Sequence, residues 1–288
     1  MDKLEHLLER AETVLARLET LLPPPPAAPD WTARAFLWRR HGAAGWLAAV
    51  REPHTLHPDQ LTHVERQRDL LIQNTRQFVR GRPANNVLLT GARGTGKTSL
   101  IKTLLPLFGE QGLRLIEVDK AHLTDLPMIV DLVADRPERF ILFCDDLSFE
   151  AGDDGYKALK VALDGGIGRR ADNLLVYATS NRRHLLPERQ ADNLDSHAQD
   201  GEIHPGEAVE EKISLSDRFG LWLSFYPFDQ DAYLDAVKRW LAYFNVDFDA
   251  LAERAALQWS LSRGGRSGRV AWQFACDWAG RGKKERKR

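Results

Sequence analysis

One stretch constrains the fold more than any other: LLTGARGTGKTSL, residues 88–100. Gly91-Ala-Arg-Gly-Thr-Gly-Lys-Thr98 fits the pattern G-x-x-x-x-G-K-[ST] in full. Glycines at that spacing let the backbone wrap closely, so that its N–H groups converge on phosphate oxygens. The helix that follows carries a partial positive charge at its start. Lys97 adds a full charge for the β- and γ-phosphates, and Thr98 offers a hydroxyl to Mg²⁺. The context fits the pattern, because residues 86–90 (NVLLT) read as a buried strand and residues 99–108 as a helix. The candidate phosphate-binding set is Gly91, Ala92, Arg93, Gly94, Thr95, Gly96, Lys97, Thr98 and Ser99.

Four further apolar runs read as strands, at 113–119, 140–145, 174–179 and 221–227. Strands that are apolar on both faces, separated by helical segments, imply a parallel sheet covered on both sides. The 288 residues carry a net charge of −1, so no global field draws the chain to nucleic acid or to a membrane. Two cysteines, Cys144 and Cys276, form no metal spacing, and Cys144 reads as a small buried residue. The start of the chain is charged and has no apolar signal region, and no run is long enough to span a bilayer. A reduced, cytoplasmic location is the expectation.

The chain divides into five parts. Residues 1–26 read as an amphipathic helix, with apolar residues from Leu4 to Leu22 on one stripe, and then a proline spacer. Docking, self-association or packing on the chain's own core would each use that stripe. Residues 27–80 read as a helical region leading into the core, with helices expected at 31–51 and 60–80. Residues 81–228 form the α/β nucleotide-binding domain, 229–280 a helical lid, and 281–288 a basic, disordered tail.

FILFCDD, residues 140–146, is a strand ending in two aspartates. Carboxylates at the C-terminal end of a parallel strand face the ligand crevice. Asp145 is then placed to hold Mg²⁺ beside Thr98, and Asp146 to orient or deprotonate water. Glu150 ranks second for that last role. Asn181, at the end of the strand 174–179, would meet the γ-phosphate and its water. Arg218, in SDRFG, just before the last strand, is either a salt-bridged surface arginine or one that reaches a neighbour's nucleotide. Arg269 would approach the γ-phosphate from the lid side, with Arg266 as the alternative.

With these residues assembled, the chain resembles the AAA+ ATPases. GARGTGKT is similar to their Walker A loop and FILFCDD to their Walker B strand. Asn181 matches the sensor 1 position, Arg218 the arginine finger supplied in trans, and Arg269 the sensor 2 arginine. Over roughly residues 50–280 the chain also resembles a bacterial AAA+-type family of unknown function. The resemblance implies a three-layer α/β fold, a five-stranded parallel sheet of order 5-1-4-3-2, and a helical lid. It further implies ATP and Mg²⁺ as cofactors and a homo-oligomer. One departure is the pair Asp145-Asp146, where Asp-Glu is usual, which suits a slow switch.

The loop after the second strand, residues 119–127, carries no aromatic side chain to grip polypeptide, which disfavours a threading unfoldase. The segment Asp164–Asp172 holds paired arginines; with the tail it either stays a solvated crossover loop or meets nucleic acid. The acidic insert 191–212 reads as a mobile loop, the alternative being a metal site at Asp192, Asp195, His197 and His204. The expected function is an oligomeric, Mg²⁺-dependent ATP-hydrolysing switch or remodelling protein. Its partner is an unidentified protein or nucleic acid. A DNA loader and a scaffold with negligible hydrolysis are the alternatives.

Overall fold

The structure is a computed structural model and describes residues 5–8, 10–12, 28–42, 44–149, 153–164, 172–182, 185, 197–199, 202–204 and 215–281. Glu150, the proline spacer, the Gly165–Arg170 loop and the tail beyond Arg281 lie outside the described residues, as do Asp192 and Asp195 of the insert.

The five expected strands form: β3 (Val87–Gly91), β4 (Leu113–Glu117), β5 (Arg139–Cys144), β6 (Leu174–Ser180) and β9 (Leu221–Phe225). Their central residues are apolar because both faces of the sheet are covered, while Glu117 at the end of β4 and Ser224 of β9 are exposed. Leu88, Phe140, Leu142 and Val176 enter one buried cluster. Their neighbours Val87, Leu89, Ile141, Phe143, Leu175 and Tyr177 enter the other. Side chains that alternate between two cores make a three-layer sandwich. Helices α1 (Glu65–Val79), α2 (Lys97–Lys102) and α3 (Leu104–Phe108) cover one face. Helices α4 (Leu126–Val133) and α5 (Asp154–Asp164) cover the other. Burial drives the Cys144 thiol well above its ordinary pKa, as suits a core residue.

The structure corrects three expectations. The sheet has seven strands, not five: two extra strands, β1 (Ala35–His41) and β2 (Ala44–Ala49), form an antiparallel hairpin in the region expected to be helical. The strand order is β2-β1-β4-β5-β6-β3-β9. Alanine and arginine favour helix locally, but β1 pairs in parallel with the edge of β4, and Phe36 and Trp38 are buried there. Tertiary pairing overrides the local preference. Asp125 locks the hairpin down, accepting from Trp38 Nε1 at 3.0 Å and from Arg40 Nη1 at 2.8 Å.

The second correction is the expected helix at 99–108, which breaks at Thr103 into α2 and α3. Pro106 has no N–H to give to the carbonyl four residues back. Third, the insert expected to be a loop contains a short hairpin, β7 (His197–Gln199) with β8 (Glu202–His204). The lid forms as α6 (Gln230–Tyr243), α7 (Ala250–Ser262) and α8 (Gly268–Gly280), around its own cluster of Tyr233, Val237, Leu241, Phe274 and Trp278. Each lid helix has a side-chain cap, from Asp229, Asp249 and Ser267 respectively.

Candidate functional site

Three neighbouring strands, β5, β6 and β3, end side by side, and their C-terminal residues build the site. Gly91 closes β3. A Cβ there would lie 1.9 Å from the carbonyl oxygen of Phe225, and φ is +132°, so only glycine lets the loop turn away from β9. Gly94, with φ +77°, meets the lid: its carbonyl accepts from the Arg269 N–H at 3.1 Å. Thr95 donates to the Ala92 carbonyl at 2.8 Å and holds the loop's curvature.

Lys97 opens α2 and is 6 % exposed. Its ammonium donates to the Gly91 carbonyl at 2.7 Å, the Ala92 carbonyl at 2.8 Å and Asn181 Oδ1 at 3.0 Å. All three acceptors are neutral. Burial lowers its pKa, while the charges of Asp145 and Asp146 pull the other way. A buried cation bonded only to neutral oxygens is built to meet an anion.

The carboxylates lie alongside. Thr98 Oγ1 donates to Asp145 Oδ1 at 2.8 Å, and Thr179 Oγ1 donates to the same oxygen at 2.5 Å. Thr179 also accepts from the Asp146 N–H at 2.9 Å. Asp146 has φ +51°, a left-handed conformation that aspartate tolerates better than most residues. Its Oδ1 accepts from Asn181 Nδ2, and Arg93 lies 3.9 Å from its Oδ2. Asn181 thus bridges Lys97 and Asp146 with the two ends of one amide. Thr98 and Asp145 supply the few hard oxygen donors that Mg²⁺ takes from a protein, so both the donor set and the buried ammonium fit a metal-bound polyphosphate.

These residues line one wall of a cavity of about 770 Å³. Ser99 and Arg269 also line it, with the segment His54–Val64 and the lid residues Trp240, Tyr243 and Trp272. Arg266 instead donates to Gln230 Oε1 at 3.4 Å, which leaves Arg269 as the lid arginine at the loop. Arg218 stands at the other end of the sheet, three residues before β9 begins. Its Nε donates to Asp164 Oδ1 at 2.6 Å.

Sequence reasoning missed Thr179, the segment 54–64 and the lid aromatics. A threonine in an apolar strand carries no local signal, and Trp240, Tyr243 and Trp272 fall in segments read only as lid helices. No local pattern singles out 54–64.

No curated protein matches the chain. Among solved structures, the Thermotoga maritima RuvB Holliday junction branch migration motor superposes with a TM-score of 0.51 at 17 % identity, covering 78 % of this chain. The chain spans 64 % of the length of that RuvB. The Aeropyrum pernix ORC1 protein in complex with DNA gives 0.51 at 15 % identity, over 82 % of this chain and 62 % of that one. The FIGL-1 AAA domain in complex with ADP gives 0.50 at 18 % identity, over 79 % and 74 %. These likenesses establish the AAA+ fold. The family model described as "Protein of unknown function (DUF815)" matches residues 31–282, nearly the whole chain, and the chain belongs to that family.

Proposed function

We propose that this chain is an ATP-binding and ATP-hydrolysing AAA+ protein that works with Mg²⁺ as an oligomeric switch or remodelling ATPase. The observation that carries the reading is the buried Lys97 ammonium, held on the Gly91 and Ala92 carbonyls and Asn181 at the mouth of a glycine loop. Lys97 and the loop amides bind the phosphates, and the lid reaches the same loop through Arg269. Thr98 and Asp145 hold the metal, which when bound neutralises charge on the phosphoryl oxygens. Asp146 Oδ2 accepts a proton from the attacking water, while the bond from Asn181 fixes the orientation of the carboxylate.

Arg218 serves the nucleotide of a neighbouring copy. Its place at the amino end of β9 supports that role, because the loop it would otherwise serve sits at the opposite end of the paired strand β3. An arginine supplied in trans contributes about 10³–10⁵ in rate. Among the described residues no helix is long and apolar enough to cross a membrane.

The test is a pair of variants. Lys97→Ala is expected to abolish ATP and ADP uptake in calorimetry with Mg²⁺. Arg218→Ala is expected to keep the affinity and lose turnover by about 10³ or more. Equal loss of binding in both would remove the trans role. No uptake by the wild type would remove the ATPase reading itself. Affinity capture with Asp146→Asn in ATP then reads whether the client is protein or nucleic acid.

A further inference from the structure

One charged surface lies at the far end of the sheet from the nucleotide site. The net charge of −1 hides an uneven distribution: residues 70–109 contain Arg76, Arg80, Arg82, Arg93, Lys97 and Lys102 but no aspartate or glutamate. Arg93 and Lys97 belong to the glycine loop. Arg76, Arg80 and Arg82 gather where α1 ends. Arg76 and Arg80 stand one helical turn apart, about 5.4 Å along the axis. Gly81 then takes φ +69°, and the Arg82 N–H turns back to donate to the Gln77 carbonyl at 2.9 Å. This Schellman closure draws Arg82 against the last turn of the helix. Arg139, the first residue of β5, completes the group. Its Nη2 lies 3.0 Å from where a Cβ on Gly81 would stand, and its guanidinium covers the Phe78 ring.

The charge of this group is not balanced from within. Arg76, Arg80 and Arg82 are exposed, and among the described residues no side-chain hydrogen bond or ion pair engages their guanidiniums. Arg139 donates to the Asp172 carbonyl at 2.7 Å, an uncharged oxygen. The negative end of α1 attracts Arg76 and Arg80, yet like charges one turn apart repel, and the helix end does not account for Arg139, which comes from the sheet. Four guanidiniums gathered without a carboxylate suit an anion of several charges, and their planar forks match phosphate. A protein partner would need an apolar anchor beside the charges. No large apolar side chain of α1 after Leu70, or of β5, is exposed. A single strand of nucleic acid would need an aromatic face for its bases, and Phe78, the ring under Arg139, is buried. A row of phosphates met without base contact is what remains, and a duplex presents one.

We infer that Arg76, Arg80, Arg82 and Arg139 form a docking surface for the phosphate backbone of duplex nucleic acid, separate from the nucleotide site. Arg139 opens β5 and Asp145 follows its other end, a strand length of about 17–20 Å away. The inference does not rest on the ATPase reading. The test follows binding of the full-length chain to fluorescent DNA and RNA duplexes of one random sequence, by anisotropy at rising salt. Four phosphate contacts predict that log K falls with log salt at a slope of about −3 to −4 for the DNA. The duplex bound more tightly names the partner. Arg80→Gln with Arg82→Gln should make the slope shallower by about two, and Arg76→Gln alone by about one. Both variants should keep the wild-type unfolding temperature and the wild-type uptake of ATP. Lys97→Ala should bind the duplex as the wild type does, because the phosphate loop is not the contact. A single strand of the same sequence and polyglutamate should both bind more weakly. Four results would each overturn the inference: no binding of either duplex at low salt, a slope that the double variant leaves unchanged, loss of duplex binding in Lys97→Ala, or equal binding of polyglutamate or the single strand.

Discussion

The two ends of the cavity are built differently. At the loop end, Lys97, Thr98, Asp145, Thr179 and Asn181 are joined by hydrogen bonds of 3.0 Å or less. Each stands at, or just beyond, the end of a strand or the start of a helix, so the register of three neighbouring strands fixes their spacing. At the lid end the wall comes from residues 54–64 on one side and from α6 and α8 on the other. No sheet pairing connects those sides. The lid meets the rest of the cavity wall through His63 Nε2 to Asp235 Oδ2 at 3.1 Å, the His63 and Phe228 rings at 5.6 Å, and the Arg269 N–H on the Gly94 carbonyl of the loop. A site held by strand register is rigid before its ligand arrives. A wall held by such lid contacts can be re-set by the ligand, as a nucleotide switch requires.

The largest effect should come from breaking the point where the two ends meet. A Cβ on Gly94 would lie 2.8 Å from Ser267 Oγ and 2.9 Å from Arg269 Cβ, at a positive φ. Gly94→Val is expected to cost about 2–4 kcal/mol through backbone strain and overpacking. The loss should appear as a lower unfolding temperature and as weaker nucleotide binding. If neither changes, the loop and lid do not touch in solution, and the two ends are independent.

A smaller effect should stay within the loop end. Thr179 is 1 % exposed, and its one hydroxyl serves both carboxylates. Thr179→Val keeps the shape and removes the hydroxyl, so Asp145 loses a donor and the Asp146 N–H an acceptor. Residues that orient metal ligands are worth about 10–100-fold in metal affinity. The Mg²⁺ concentration for half-maximal turnover should rise by about tenfold, and Thr179→Ser should restore it. An unchanged Mg²⁺ requirement would mean that Thr98 alone positions Asp145.

The same contrast explains what could be read from the sequence. The loop end was legible because its chemistry is contiguous: a glycine loop that must curve, a lysine at its exit, and carboxylates that close an apolar strand. The five strands were legible because burial on both faces leaves mostly apolar runs. The β1–β2 hairpin was not, since its alanines and arginines carry no alternation until β4 offers an edge. Thr179 was hidden because only its neighbours on β5 give its hydroxyl a task.

The smallest effect sharpens the comparison from the lid end. Trp272 is 38 % exposed, its ring lies 4.6 Å from that of Trp240, and both line the cavity from the lid helices. If the loop holds the phosphates of ATP, this is where the base of the nucleotide stacks. Base–aromatic stacking is worth about 1–3 kcal/mol per base, and the lower figure applies because Trp240 and Tyr243 remain. Trp272→Leu should weaken ATP binding by about fivefold. Binding of inorganic tripolyphosphate, which has phosphates and no base, should not change. ATP should also quench the tryptophan fluorescence of the wild type where tripolyphosphate does not. If Trp272→Leu weakens both ligands equally, the tryptophan supports the lid as a whole. The lid end would then serve the phosphates indirectly and would hold no base.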